Sequence, residues 1–126
     1  MIIYPPMLRG GTKQSIFVEL LSTTNTPFIG KVASDMTGNL IRFRRAPLNA
    51  SLVQLASITS VYTARGFIEV DAVKCPGLYR LDLPDVLFVN DGVSLVLTVS
   101  LVAVGMSPLN IIIPLIDENL SATTIS

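Results

Sequence analysis

The chain has no histidine, no tryptophan and a single cysteine, and only 14% of its 126 residues are charged. Without histidine it lacks the commonest general base and the commonest metal ligand. One cysteine cannot form an internal disulfide or a cysteine-rich zinc site. Nine Lys and Arg balance nine Asp and Glu, whereas nucleic-acid binding requires clustered, uncompensated basic residues. We therefore expect no enzyme activity, no metal, no other cofactor and no nucleic-acid partner.

Half of the residues are hydrophobic, which is enough to build the core of one domain. The most apolar stretch, 92–116, contains no charged residue, and its length alone would allow a membrane helix. However, the stretch 93–104 alternates with a period of two, and Gly105, Ser107 and Pro108 then interrupt it. This pattern predicts two strands joined by a turn, and no membrane partner.

Short alternating runs recur along the rest of the chain, with turn signals at a spacing of roughly 8–12 residues. About seven short strands predict an all-β fold, a single antiparallel β-sandwich that is immunoglobulin-like or jelly-roll-like. One short helical turn is expected near Pro84–Val89, because proline favours the first position of a helix. We expect three parts: an extended Pro/Gly-rich arm (1–11), the sandwich domain (12–118) and a polar flexible tail (119–126).

The strand predicted at 66–71 alternates between apolar and acidic residues. Ile68 and Val70 are expected to face the core, and Glu69 and Asp71 to face water.

The strand predicted at 78–83 also alternates, with Arg80 and Asp82 expected to face water. Asp82 and Asp85 form a pair of carboxylates, but we interpret Asp82 as solvated and Asp85 as a helix-start residue. Neither is expected to act as a general acid or base. The side chains expected in the core are Tyr79, Leu81 and Leu83.

Several aliphatic residues fall on strand faces that an isolated sandwich would expose to water. Together they predict a contiguous apolar patch, which a monomer rarely leaves bare. We interpret the patch as a subunit interface; a curled sheet or a covering N-terminal arm is the alternative. The aliphatic residues concerned are Val96, Val102, Val104, Ile112 and Ile116.

The only local cluster of positive charge lies in the strand predicted at 39–45. It could blunt an edge strand, form ion pairs with an acidic partner subunit or, least favoured, contact nucleic acid. The full candidate interface adds this cluster and the arm to the aliphatic patch: Tyr4, Pro5, Pro6, Arg42, Arg44 and Arg45.

Three segments carry a resemblance to a known group of proteins. The runs GFIEVD (66–71) and CPGLYRLDLPD (75–85), with the opening GGTKQSIFV (10–18), resemble a module recurrent in structural proteins of tailed bacteriophages. The resemblance extends over about Gly10–Glu118. It departs from the group's pattern at Cys75, usually a small or polar residue, and at Val86, where alanine is common.

The resemblance implies a virion structural protein that is assembled in the host cytoplasm. Its most favoured form is a capsid cement or decoration protein that binds the major capsid protein lattice, stabilises the head and forms a homo-oligomer. The first alternative is a tail-fibre or baseplate adaptor that binds other virion structural proteins. A second alternative, a lectin-like sandwich, would need exposed aromatic residues, and Tyr79 is expected to be buried.

Overall fold

A computed structural model of the chain describes residues 2–42, 48–49, 51–88 and 96–116. Within these ranges the chain forms β-strands and two short 3-10 turns, and two sheets enclose one hydrophobic core. The predicted all-β sandwich is confirmed. The polar tail expected at 119–126 lies outside the described residues.

The first sheet, sheet I, contains most of the strands from both ends of the chain. Six strands pair in it, with β2 and β1 both alongside β10 and the remaining order β10-β9-β4-β5. Its strands are β1 (Ile2–Ile3), β2 (Met7–Leu8), β4 (Thr37–Arg42), β5 (Leu48–Asn49), β9 (Val96–Val102) and β10 (Leu109–Ile116).

The second sheet, sheet II, has four strands in the order β3-β8-β7-β6. They are β3 (Gln14–Glu19), β6 (Val53–Gln54), β7 (Gly66–Asp71) and β8 (Cys75–Leu83). The 3-10 turns span Ala33–Asp35 and Asp85–Phe88, and the second confirms the helical turn predicted after Pro84.

Most pairs are antiparallel, as predicted, but three edge pairings are parallel. The two-residue strands β1 and β2 both run parallel to β10, and β6 runs parallel to β7. These short strands add to the outer edges of sheets whose longer strands pair in the antiparallel sense.

The core lies between the two sheets and is built from alternate residues of the long strands. Since successive side chains of a strand point to opposite faces, one residue in two enters the core. Burial of each such aliphatic or aromatic side chain contributes about 1.5–3 kcal/mol. The fully buried residues include Leu97, Val99 and Leu101 on β9, Ile111 and Ile113 on β10, Ile16 and Val18 on β3, and Tyr79, Leu81 and Leu83 on β8.

Strand β7 forms where it was predicted, but the predicted direction of its side chains is wrong. Phe67 is fully buried and stacks on Tyr79 with ring centroids 5.0 Å apart. Ile68 pairs with Arg80 on the outer face, and Glu69 pairs with Tyr79 on the core side. The large ring of Phe67 therefore determines the face of the strand, and a β-bulge after Glu69 ends the alternation before Val70 and Asp71.

Candidate functional site

The outer face of sheet I carries the apolar residues that the sequence singled out, but their exposure varies. Val102, at the end of β9, is 44% exposed, and Val104, in the turn that follows, is 96% exposed. Val96, at the start of the same strand, is only half-exposed, as are Ile112 and Ile116 on β10.

The arm extends this apolar surface sideways. Ile3 pairs in parallel with Ile112, and Leu8 pairs with Ile116. Ile3 is 74% exposed and Leu8 is 41% exposed. The arm therefore adds an apolar edge beside β10, and it does not lie across the face of the sheet as the alternative interpretation of the patch required.

A polar pair divides the predicted contiguous patch into two parts. Ser100 on β9 lies opposite Asn110 on β10, and its hydroxyl donates to Asn110 Oδ1 over 2.7 Å. Side chains on one face of a strand are about 6.8 Å apart along it, so this single pair interrupts the apolar surface. We call Val102 and Val104 the turn-end patch; the arm-side patch comprises Ile3, Leu8, Val96, Ile112 and Ile116.

Tyr4 connects the edges of the two sheets. Its amide donates to Ile112 O over 2.8 Å, and its side chain packs against the core. Its hydroxyl donates to Phe17 O over 3.3 Å and accepts from Phe17 N over 3.2 Å. Tyr4, predicted to lie at an interface, thus makes internal contacts, whereas Pro5 and Pro6 are exposed.

The arginine cluster lies mostly outside the described residues. Arg44 and Arg45 fall in the range 43–47, and of Arg42 only the backbone is described. Arg42 ends β4 and pairs with Leu97. The role predicted for these three arginines stays a prediction.

The outer face of sheet II differs most from the prediction. Arg80 is only 7% exposed and Asp82 is fully buried, so the prediction that both face water is wrong. The guanidinium contacts the carboxylate at two points, with Nε to Oδ1 and Nη2 to Oδ2 both at 2.9 Å. This two-point geometry is the strongest that an arginine and a carboxylate form.

The loop 56–65 is what buries this ion pair. Arg80 Nη1 donates to Ile58 O over 2.7 Å and to Ser60 O over 2.8 Å. The carboxylate of Asp82 accepts from Thr63 N over 3.1 Å and from the hydroxyl of Ser15. The loop, together with Ser15 of β3, thus satisfies the polar atoms of a charged pair whose burial would otherwise be costly.

Gly66, at the start of β7, allows the loop to approach the ion pair. A Cβ at this position would lie 2.8 Å from Asp82 Oδ2 and 2.9 Å from Thr63 O. Only glycine therefore permits this close contact between the loop and the strand.

The surroundings of Asp82 keep it ionised. Burial alone would raise its pKa, but hydrogen bonds from Arg80, Ser15 and Thr63, together with the Arg80 charge, outweigh burial and hold the pKa below its ordinary value of 3.8. Nearby, burial and the charge of Asp85 raise the pKa of Tyr62 to about 12.

Tyr62 and Asp85 complete the polar contacts beside the covering loop. The Tyr62 hydroxyl donates to Leu83 O over 2.6 Å and lies 3.4 Å from Asp85 Oδ1. Asp85 Oδ1 also accepts from Lys13 N over 2.8 Å. Asp85 starts the 3-10 turn as predicted, and its carboxylate additionally anchors the chain just after the arm.

Other chemistry-bearing groups in the described part of the chain lie apart from one another. Cys75 is an exposed free thiol, and no group of three metal-binding side chains comes together within the described ranges. No helix in those ranges is long and apolar enough to cross a membrane.

An open cleft of about 670 Å³ lies beside the first 3-10 turn. Its lining is mainly apolar, and the amide of Gln54 is already engaged, since it accepts from Ala33 N and donates to Leu55 O. The cleft is lined by Val32, Ala33, Ser34, Met36, Ser51, Leu52 and Gln54.

Comparison of the chain with family models, with curated proteins and with solved structures finds no match.

Proposed function

We propose that this chain is a structural protein of a tailed-phage particle, a cement or decoration protein that binds the major capsid protein lattice and stabilises the head. The observation that carries the proposal is the apolar outer side of sheet I, where Val102, Val104 and Ile3 are exposed. The phage assignment is supported by the resemblance at 66–71 and 75–85.

The two patches suit binding to a repeated surface. Each is small, so a single contact would be weak, but a closed symmetric lattice presents the same contact many times. Multivalent attachment raises the overall affinity without enlarging any one contact. Adhesion of this kind requires apolar side chains held on rigid strands, which β9 and β10 supply.

The first experiment compares particles that contain the protein with particles that lack it. We expect heads without the protein to release DNA at a lower temperature, and the purified wild-type chain to restore their stability. The variant Val104→Lys should fail to restore it, because it places a charge in the turn-end patch.

A matched control is Val61→Lys. Val61 is 82% exposed on the loop that covers sheet II, so this variant adds the same charge on the opposite side of the sandwich and should restore stability. Equal heat resistance with and without the protein would contradict the cement role.

The second experiment is a cryo-electron microscopy reconstruction of the particle. Density for the sandwich on the head lattice supports the proposal. Density confined to the tail would reject the cement role and favour the alternative, a tail-fibre or baseplate adaptor.

A further inference from the structure

The arm, residues 2–9, is held along one edge of β10 by a short series of backbone contacts. Strand β1 pairs with Ile111 and Ile112, and strand β2 pairs with Leu115 and Ile116. Arg9 N adds a hydrogen bond of 2.9 Å to Ile116 O. The arm is therefore an added edge strand beside β10.

The edge of the sandwich that the arm contacts accommodates two particular side chains. Tyr4 and Met7 pack against the core from the edge, and the Tyr4 hydroxyl contacts both backbone polar groups of Phe17 on sheet II. A segment that replaces the arm must place a tyrosine and a methionine three residues apart along an extended backbone. The arm of a second copy of this chain meets this requirement because it has the same sequence.

The link between the arm and the sandwich has the features of a hinge. Gly10 has φ of 75°, and a Cβ added to it would meet no atom within 4 Å. Gly10 N donates to Phe88 O and Gly11 N donates to Leu8 O, and the chain is anchored further at Lys13, whose amide donates to Asp85 Oδ1 over 2.8 Å. Because glycine adopts many backbone conformations at little cost, residues 10–12 can redirect the arm once the Gly10–Phe88 hydrogen bond opens, while the Lys13–Asp85 contact keeps β3 in place.

The sequence of the arm keeps it extended when it is not docked. Pro5 and Pro6 fix two φ angles and favour the polyproline II conformation. An arm that is already extended loses little conformational entropy when it binds. Its eight residues reach at most about 26–29 Å.

We propose that the arm exchanges between copies, so that residues 2–9 of one copy pair with β10 of a second copy and its Tyr4 hydroxyl binds the second copy's Phe17. The exchange rests on the proposed function, since it supplies the self-association that a homo-oligomeric cement protein needs. Reciprocal exchange gives a closed two-fold dimer.

Engineered disulfides test the exchange in purified full-length protein. In a Cys75→Ser background, one protein carries Ile3→Cys and the other carries Ile112→Cys. These two residues are direct partners, and the spacing of about 4.8 Å between paired strands suits a disulfide. After the two proteins are mixed under mild oxidation, we expect a covalent heterodimer, identified by mass spectrometry.

A control replaces the Ile112→Cys protein with one carrying Val104→Cys. Val104 is 96% exposed and is not a partner of the arm, so random collision would cross-link it at least as readily. We expect the Ile3/Ile112 mixture to give several-fold more heterodimer than the Ile3/Val104 mixture.

The double variant Ile3→Cys/Ile112→Cys shows whether the bond can form at all. Equal heterodimer in the two mixtures, together with an intramolecular disulfide in the double variant, would overturn the exchange. A double variant that forms no disulfide of either kind would overturn the pairing on which the exchange depends. Because the assay contains no capsid, its result is separate from that of the capsid-binding experiments.

Discussion

The two outer faces of the sandwich differ in whether the chain covers their side chains. On sheet II, a ten-residue loop, 56–65, covers Arg80 and Asp82 and hydrogen-bonds both. On sheet I, several aliphatic residues are exposed on either side of the Ser100–Asn110 pair, with Val102 at 44% and Ile3 at 74% exposure. The ion pair of sheet II is covered by a loop, whereas these aliphatic residues of sheet I are open to solvent.

The covering loop is held on sheet II by directional hydrogen bonds to Arg80 and Asp82. A buried ion pair stabilises little by itself, because desolvation offsets much of its attraction. It does fix the position of the loop, since Arg80 and Asp82 accept only partners at defined places. The apolar residues of sheet I have no comparable cover from the described part of the chain, which makes that face the better candidate for contact with another protein.

The largest effect on stability is expected from Asp82→Ala. This variant would release the loop from the outer face of sheet II, so that both outer faces would then be open. The variant leaves the Arg80 charge buried without its carboxylate, so we expect a loss of about 3–5 kcal/mol of unfolding free energy. Urea unfolding followed by circular dichroism measures the change.

Two further variants sharpen this result. Asp71→Ala removes a half-exposed carboxylate of the same sheet, which in the described part of the chain accepts only from Val73 N and Lys74 N in the following surface turn, and should have a much smaller effect. Arg80→Met combined with Asp82→Leu removes both charges together, and the double variant should be more stable than Asp82→Ala alone. A double variant as unstable as the single one would show that the charges do not act as a pair.

Acid should weaken sheet II through the same carboxylate. The folded-state pKa of Asp82 lies below 3.8, so its contribution is fully present above that value and disappears as the pH falls through the lowered folded-state pKa. In Asp82→Asn, unfolding free energy should fall less steeply with acid than in the wild type. Parallel pH profiles for the two proteins would contradict this assignment.

A smaller effect is expected at the edge that joins the two sheets. Tyr4→Phe removes the hydroxyl that binds the backbone of Phe17, and should cost about 0.5–1.5 kcal/mol. Hydrogen exchange followed by mass spectrometry should show faster exchange of the Phe17 amide. An equally protected amide in the variant would mean that Tyr4 does not close this edge.

The smallest effect on stability is expected on the open face. Val104→Lys alters an exposed turn residue, so unfolding free energy should change by no more than about 0.5 kcal/mol. Binding to capsids should nevertheless be lost, and Val61→Lys should keep it. If Val104→Lys binds capsids as the wild type does, the open face is not the contact surface.

The strands themselves were largely predictable from the sequence, because their alternation is local. The buried positions of Tyr79, Leu81 and Leu83 follow from period two alone. The same rule failed for Arg80 and Asp82, since alternation separates two faces but does not say which face water reaches. Their cover comes from loop 56–65, whose contacts with them lie about twenty residues away along the chain.

The candidate surface was predicted in part. Val102 and Val104 are exposed as expected, whereas Ile112 lies beside the arm and is half-buried. The pairing of Ser100 with Asn110 depends on the register between β9 and β10, which a single sequence does not define. The internal role of Tyr4 was missed for the same reason, because its partner Phe17 is on the other sheet.

The arm also has a consequence for the order of folding. Ile2 pairs with Ile111 although the two lie 109 positions apart along the chain. Contacts between such distant residues form slowly, because the entropy of closing the loop must be overcome before they stabilise anything. We therefore expect β9 and β10 to assemble first and the arm to dock last. During that interval the free edge of β10 is most open to aggregation, and synthesis at high local concentration would favour docking with a sister chain.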